Sequence, residues 1–215
     1  RVFNVGAVGL DHLHRSPIMG LEELATSLGF ALHAPYLLVT YHPVTLLEES
    51  PEQSFIALLE ALDHFPEYQV ILTYPNADNG GRALISLLEE YAQRQPKRVL
   101  AIPSLGFKRY LSAVSSAAAV VGNSSSGIIE VPAFGIPTIN IGVRQKGRLA
   151  ADSVLHCEPN AAAIECALRQ ALSPEFAAAS KNTANPYGQG NAAEAVVRVL
   201  EHFDGKFHKS FHDLS

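Results

Sequence analysis

Long apolar runs are missing. No stretch of the 215 residues reaches the roughly 18 needed to cross a bilayer as a helix, and no secretory leader pattern is visible. A cytoplasmic protein with no membrane partner is expected. Positive charge is also scarce: 16 Lys and Arg against 21 Asp and Glu leave a formal net charge of −5. No basic stripe is present, so nucleic acid is not an expected partner. Cysteine is limited to Cys157 and Cys166, whose spacing fits no common zinc pattern. Two reduced thiols in or near a core are expected, and no metal or cofactor is implied. Three signatures are absent as well. There is no G-x-G-x-x-G after a strand, no Walker loop and no G-x-S-x-G elbow, so the usual dinucleotide oxidoreductase, P-loop and α/β-hydrolase readings lack support.

What is present is a regular alternation. Apolar, β-leaning runs at 36–43, 68–75, 98–102, 118–122, 138–141 and 153–157 read as strands. Between and after them, helical periodicity appears at 51–65, 81–94, 107–117, 127–134, 160–172 and 191–203. Strands alternating with helices of this length imply βαβ units, hence an α/β fold with a Rossmann-like parallel sheet covered by helices on both faces. The strands are apolar on both sides, as a doubly covered sheet requires. The opening residues read as a strand and a turn, followed by a helix over about 19–28, and the last dozen residues read as a tail.

The stretch "VVGNSSSGIIEVPAFGIPTINIGVRQKGR", residues 120–148, carries the densest chemistry. In a doubly wound sheet, ligands bind where strands end and helices begin. Open backbone N–H groups at a helix start attract phosphate. Ser124, Ser125 and Ser126 add hydroxyl donors, and Gly127 lets the backbone come close. The same residues are also ordinary N-cap types, which is the plainer explanation. Arg144, Lys146 and Arg148 follow the next strand, and arginine can grip phosphate with a forked pair of donors. Glu130 fits poorly beside a phosphate but could accept from the two hydroxyls of a ribose; a solvent-facing helix carboxylate is the alternative. His42 in "YHPVT", and Asn76 and Asp78 in "YPNADNGG", follow other strands and belong to the same rim of the sheet.

The blocks "RVFNVGAVGLDHL", "HPVT", "YPNADNGG", "GNSSSGIIEVPAFGIPTINIGVRQKGR", "SVLHC" and "NPYGQGNAAEAVVRVL" together closely resemble the C-terminal half of UDP-N-acetylglucosamine 2-epimerases. The "HPVT" form points to the hydrolysing type of sialic-acid biosynthesis. The resemblance implies a GT-B-type enzyme whose two Rossmann-like domains enclose a UDP-sugar, with this chain as the second domain alone. Residues 1–30 would be the interdomain junction, 31–204 the nucleotide-binding domain and 205–215 the tail. It also implies a homo-oligomer when full length, with the main acid/base carboxylates on the N-terminal domain.

By position, the resemblance makes His42 and Arg144 catalytic. It assigns Asn76, Ser124, Ser125, Ser126, Gly127 and Glu130 to the UDP-sugar, with the diphosphate on the serines, the ribose on Glu130 and the uracil against residues 101–104. The implied reaction eliminates UDP from UDP-N-acetylglucosamine and adds water, releasing N-acetylmannosamine. Related activities remain open: an epimerase for a diacetamido-trideoxy UDP-sugar, a GT-B glycosyltransferase using a UDP-sugar, or a nucleotide-binding module without catalysis.

Overall fold

Each apolar run read as a strand forms one. A computed structural model describes residues 2–15, 17–44, 50–76 and 81–205. The helices α1 (His12–Arg15) and α2 (Leu21–Leu28) precede strand β1 (Tyr36–Thr40). Then come α3 (Pro51–Asp63), β2 (Gln69–Thr73), α4 (Gly81–Arg94), β3 (Val99–Ile102), α5 (Gly106–Ser116) and β4 (Ala119–Gly122). The chain continues through α6 (Ser126–Ile129), β5 (Thr138–Ile141), β6 (Val154–Cys157), α7 (Ala161–Ala171), α8 (Pro174–Ser180) and α9 (Ala192–Glu201). The sheet order is β3-β2-β1-β4-β5-β6 and every pairing is parallel. This is the doubly wound arrangement, which reverses direction between β1 and β4.

The pleat of β1 sorts the core into two layers. Leu37 and Val39 pack with Phe55, Leu58 and Leu62 of α3, Leu84 and Leu88 of α4, and Ile164 and Leu168 of α7. Tyr36 and Leu38 face the other way, onto Leu24 of α2 and Ala113 and Val114 of α5. Alternate side chains of one strand therefore feed opposite faces, and helices cover both. No helix among the described residues is long and apolar enough to cross a membrane.

Four details differ from the sequence reading. The helix expected over 127–134 is interrupted: α6 stops at Ile129 and a 3₁₀ turn covers Val131–Phe134. Pro132 has no N–H to continue the α-helical ladder. The leading segment forms a 3₁₀ turn, Val8–Asp11, running into α1 rather than a strand. Its bonds go to the C-terminal part of the chain: Ala7 N–H donates to the Tyr187 carbonyl at 2.9 Å. The Asp11 carboxylate accepts from the Ala192 and Ala193 N–H groups at 2.7 and 2.8 Å. Helix α8 was not expected, although Ser173 caps it and Pro174 opens it. Finally, Cys157 is half-buried in β6, but Cys166 is exposed on α7 rather than in the core.

Candidate functional site

The strand order reverses between the neighbouring strands β1 and β4, and at their carboxyl ends Thr40 lies opposite Gly122. Gly122 has φ of 137°, and a Cβ there would sit 1.9 Å from the Thr40 carbonyl oxygen. Only glycine lets the two strand ends approach this closely. Asn123 follows and is fully buried. Its Oδ1 accepts from the His42 N–H at 2.8 Å, and its Nδ2 donates to the His42 carbonyl at 2.8 Å. Its own N–H donates to the Thr40 carbonyl at 3.2 Å. Its carbonyl collects two donors from the loop after β5: Arg144 Nη1 at 3.1 Å and Gln145 Nε2 at 2.8 Å.

His42 is buried along most of its surface, and its ring reaches the loop after β2. The Asn76 N–H donates to His42 Nδ1 at 3.1 Å. A ring nitrogen that accepts carries no proton, so the neutral imidazole holds its hydrogen on Nε2. Asp78 lies outside the described residues.

The serine turn does not behave as a helix cap. Ser125 occupies the N-cap position of α6, yet its side chain makes no capping bond. The Ser124 hydroxyl accepts from the Ser126 N–H only at 3.4 Å, a long contact. Among the described residues, the Ser124 and Ser125 N–H groups have no acceptor. The Ser126 hydroxyl is shared with the Tyr110 hydroxyl at 2.5 Å. With only four residues, α6 has little macrodipole of its own, so the anion-attracting capacity rests on open amides, hydroxyls and cation. Arg144, half-buried beside this turn, has no carboxylate within ion-pair distance among the described residues. Lys146 and Arg148 point into solvent. Gly127 is packed tightly, since a Cβ on it would meet Thr138 Cγ2 at 2.9 Å.

A cleft of about 430 Å³ opens beside the turn. Thr40, His42, Asn76, Ser124 and Tyr110 line one part of it; Pro103, Ser104 and Phe107 line another. His42, Asn76 and Ser124 are thus brought together, and the predicted uracil stretch contributes Pro103 and Ser104. Glu130 lies elsewhere, one turn beyond Ser126, whose carbonyl accepts its N–H at 2.9 Å. Its Oε2 is buried without a hydrogen-bond partner among the described residues, and its Oε1 faces Gly9, where an added Cβ would be 3.6 Å away. An uncompensated buried carboxylate oxygen is costly and calls for a donor. Burial pushes the Tyr110 hydroxyl well above its ordinary pKa; the bond to Ser126 opposes this and the Glu130 charge adds to it.

Tyr110, Asn123 and Gln145 were not among the residues read as functional. Tyr110 looks like one more core position on an amphipathic helix. Asn123 reads as part of the turn until strand order puts it at the reversal point. Gln145 sits between two arginine and lysine residues that draw attention away from it.

The family model for UDP-N-acetylglucosamine 2-epimerase matches residues 1–201. The GDP/UDP-N,N'-diacetylbacillosamine 2-epimerase (hydrolyzing) of Campylobacter jejuni is 36% identical over 160 residues, covering 74% of this chain and 42% of that protein. The polysialic acid biosynthesis protein P7 of Escherichia coli is 31% identical over 217 aligned positions, covering 99% of this chain and 55% of that protein. Among solved structures, the UDP-GlcNAc 2-epimerase from Neisseria meningitidis bound to UDP-GlcNAc superposes with a TM-score of 0.61. That match has 17% identity and covers 84% of this chain and 47% of the other, a likeness of fold. The chain spans about half the length of the curated relatives it matches.

Proposed function

The chain belongs to the UDP-N-acetylglucosamine 2-epimerase family, and from that premise we propose that it forms the UDP-binding half of a hydrolysing 2-epimerase. The observation that carries this reading is the serine turn. Its hydroxyls and the open amides of Ser124 and Ser125 lie at the reversal point of the sheet, with the guanidinium of Arg144, which has no carboxylate partner among the described residues, beside them. These groups suit a diphosphate better than they suit a helix cap.

In this reading Ser124, Ser125 and Ser126 hold the diphosphate, with Gly127 allowing the turn to pack closely beneath it. Asn76 contacts the substrate beside His42. Glu130 accepts from the ribose hydroxyls, which supply the donors its orphaned oxygen lacks. Pro103 and Ser104 meet the uracil. In this reading residues 31–204 make up the nucleotide-binding domain and 1–30 the junction into it; the tail read over 205–215 lies, past Gly205, outside the described residues.

The proposed reaction removes the proton from C2 of the sugar and breaks the bond from C1 to the diphosphate. UDP departs with the electron pair, and water then adds to the glycal-like intermediate to give N-acetylmannosamine. The principal acid/base groups come from outside this chain. The chain's own residues stabilise the leaving group. Arg144 and the serine turn offset the charge that grows on the diphosphate, and His42 Nε2–H serves as a proton donor toward it.

Calorimetry on this chain tests the binding half of the reading, with UDP compared against uridine. UDP should bind and uridine should bind far more weakly, since the phosphates supply most of the recognition. Ser124→Ala and Ser125→Ala should weaken UDP more than uridine. Equal losses for both ligands would reject the diphosphate assignment. Turnover of UDP-N-acetylglucosamine and of a diacetamido-trideoxy UDP-sugar by the complete enzyme separates the two sugars.

A further inference from the structure

His42 and Arg144 follow different strands, β1 and β5, yet both are bonded to one residue. Asn123 takes the His42 backbone through its side chain and the Arg144 guanidinium through its carbonyl. We infer that Asn123 is the positioning residue that sets both groups in register with the serine turn. The inference rests on the reading of His42 and Arg144 given above.

The chemistry of the clamp is specific. His42 offers its own N–H and its own C=O, one donor and one acceptor, and among side chains a primary amide matches that pair with an acceptor and a donor of its own. Aspartate would set an oxygen against the His42 carbonyl, and serine is too short to span both. The partners also fix which end of the amide is oxygen, because only Oδ1 can face an N–H and only Nδ2 a carbonyl. Asn123 is fully buried, so removing its side chain takes away both of its bonds to the His42 backbone in a dry environment. The position of the His42 backbone in turn decides whether its Nδ1 meets the Asn76 N–H and hence which tautomer faces the cleft.

Gln145 supports the same reading. It is buried, and its Nε2 bonds the Asn123 carbonyl while its Oε1 has no partner among the described residues. A buried amide with its acceptor unsatisfied is costly, and in exchange it holds the loop carrying Arg144 against Asn123. Sub-ångström placement of groups around a leaving diphosphate carries large rate factors, so a residue joining three strand ends acts on chemistry without touching substrate.

The test is a double-mutant cycle on UDP affinity, using Asn123→Ala and Arg144→Ala in this chain, with the His42 tautomer read by long-range proton–nitrogen spectra. The His42 signal is identified by its loss in His42→Gln. Asn123→Ala keeps the carbonyl that holds Arg144 but releases it from the β1 end, so UDP affinity should fall about tenfold when Arg144 is present and less than about twofold in the Arg144→Ala background. His42 Nδ1, a lone-pair nitrogen in the parent, should show proton occupancy in Asn123→Ala. If Asn123→Ala lowers the thermal midpoint while any affinity loss simply adds to that of Arg144→Ala and the tautomer is unchanged, Asn123 is purely structural and the inference is overturned. If Arg144→Ala leaves UDP affinity unchanged, the assignment of Arg144 fails, and the His42 tautomer alone decides the role of Asn123. Asn123→Ser is the second variant should the alanine chain not fold, and the same pattern at smaller amplitude is expected of it.

Discussion

Gly122 and Glu130 show what single residues contribute to this site and what they cost. A methyl group on Gly122 would overlap the Thr40 carbonyl at 1.9 Å and would require a φ that side chains rarely adopt. Backbone meets backbone there, so no rotamer change can relieve it. Gly122→Ala is expected to lose more than about 4 kcal/mol of stability or fail to fold, measurable by urea denaturation; a loss under about 1 kcal/mol would show the strand ends to be movable. Glu130 poses the opposite case, a group whose buried oxygen lacks a partner. Glu130→Ala should weaken UDP by roughly 1.5–3 kcal/mol, the scale of hydrogen bonds to a charged group, while leaving the protein equally or more stable. Calorimetry and thermal melting together check this, and unchanged UDP affinity rejects the ribose role. The candidate site was legible where residue types announce themselves: serines, glycine and arginine around one turn. Asn123 and Gln145 were not, because their importance lies in which strand ends they join, and spacing along the chain does not report that. Tyr110 was hidden for another reason, since an aromatic residue on the inner face of a helix reads as packing until its hydroxyl is seen against Ser126.

The start of α9 depends on an element nearly the whole chain away. Asn191 stands at its N-cap with φ of 69° and no side-chain capping bond. The cap is supplied by Asp11, whose two carboxylate oxygens take the Ala192 and Ala193 N–H groups. These backbone bonds, the Ala193 one foremost, hold the Asp11 carboxyl below its ordinary value, with burial opposing and the Arg15 and His12 charges assisting. A depressed folded-state pKa contributes stability that is present above the unfolded value and is lost as pH falls through the folded one. The thermal midpoint of the parent should therefore drop more steeply below about pH 4 than that of Asp11→Asn, and parallel curves would remove the cap from the account. This contact also explains one misreading of the fold. The leading segment has strand-like composition, but its donors and acceptors are used by Tyr187 and α9, so it curls into a 3₁₀ turn. The central strands were legible as short apolar runs buried on both faces, and the long helices because a period of 3.6 dominates them. Short elements such as α6 and α8 carry too few turns for periodicity, and only Pro132 and the Ser173–Pro174 pair mark where they stop and start.

At the scale of the molecule, the site and the fold are one object. The reversal between β1 and β4 brings His42, Asn123 and Ser124 together, and the two apolar layers of the sheet hold those strand ends in place. The cleft at the reversal is lined by residues that follow β1, β2, β3 and β4, so a ligand filling it would tie together elements that otherwise meet mainly through the sheet. Binding that selects the folded chain must raise its stability by mass action, by about 2.7 kcal/mol at a hundredfold excess over Kd. For a domain of this size that corresponds to a rise in thermal midpoint on the order of 5–10 °C. UDP should produce this shift in the isolated chain, uridine at the same concentration should produce little, and Arg144→Ala should reduce the UDP shift without lowering the midpoint of the free protein. The last comparison separates the two roles a buried-edge arginine can have. A guanidinium held for a ligand is dispensable to the empty fold, whereas one that merely anchors the loop to the Asn123 carbonyl would cost midpoint in the absence of UDP and leave the ligand-induced rise intact.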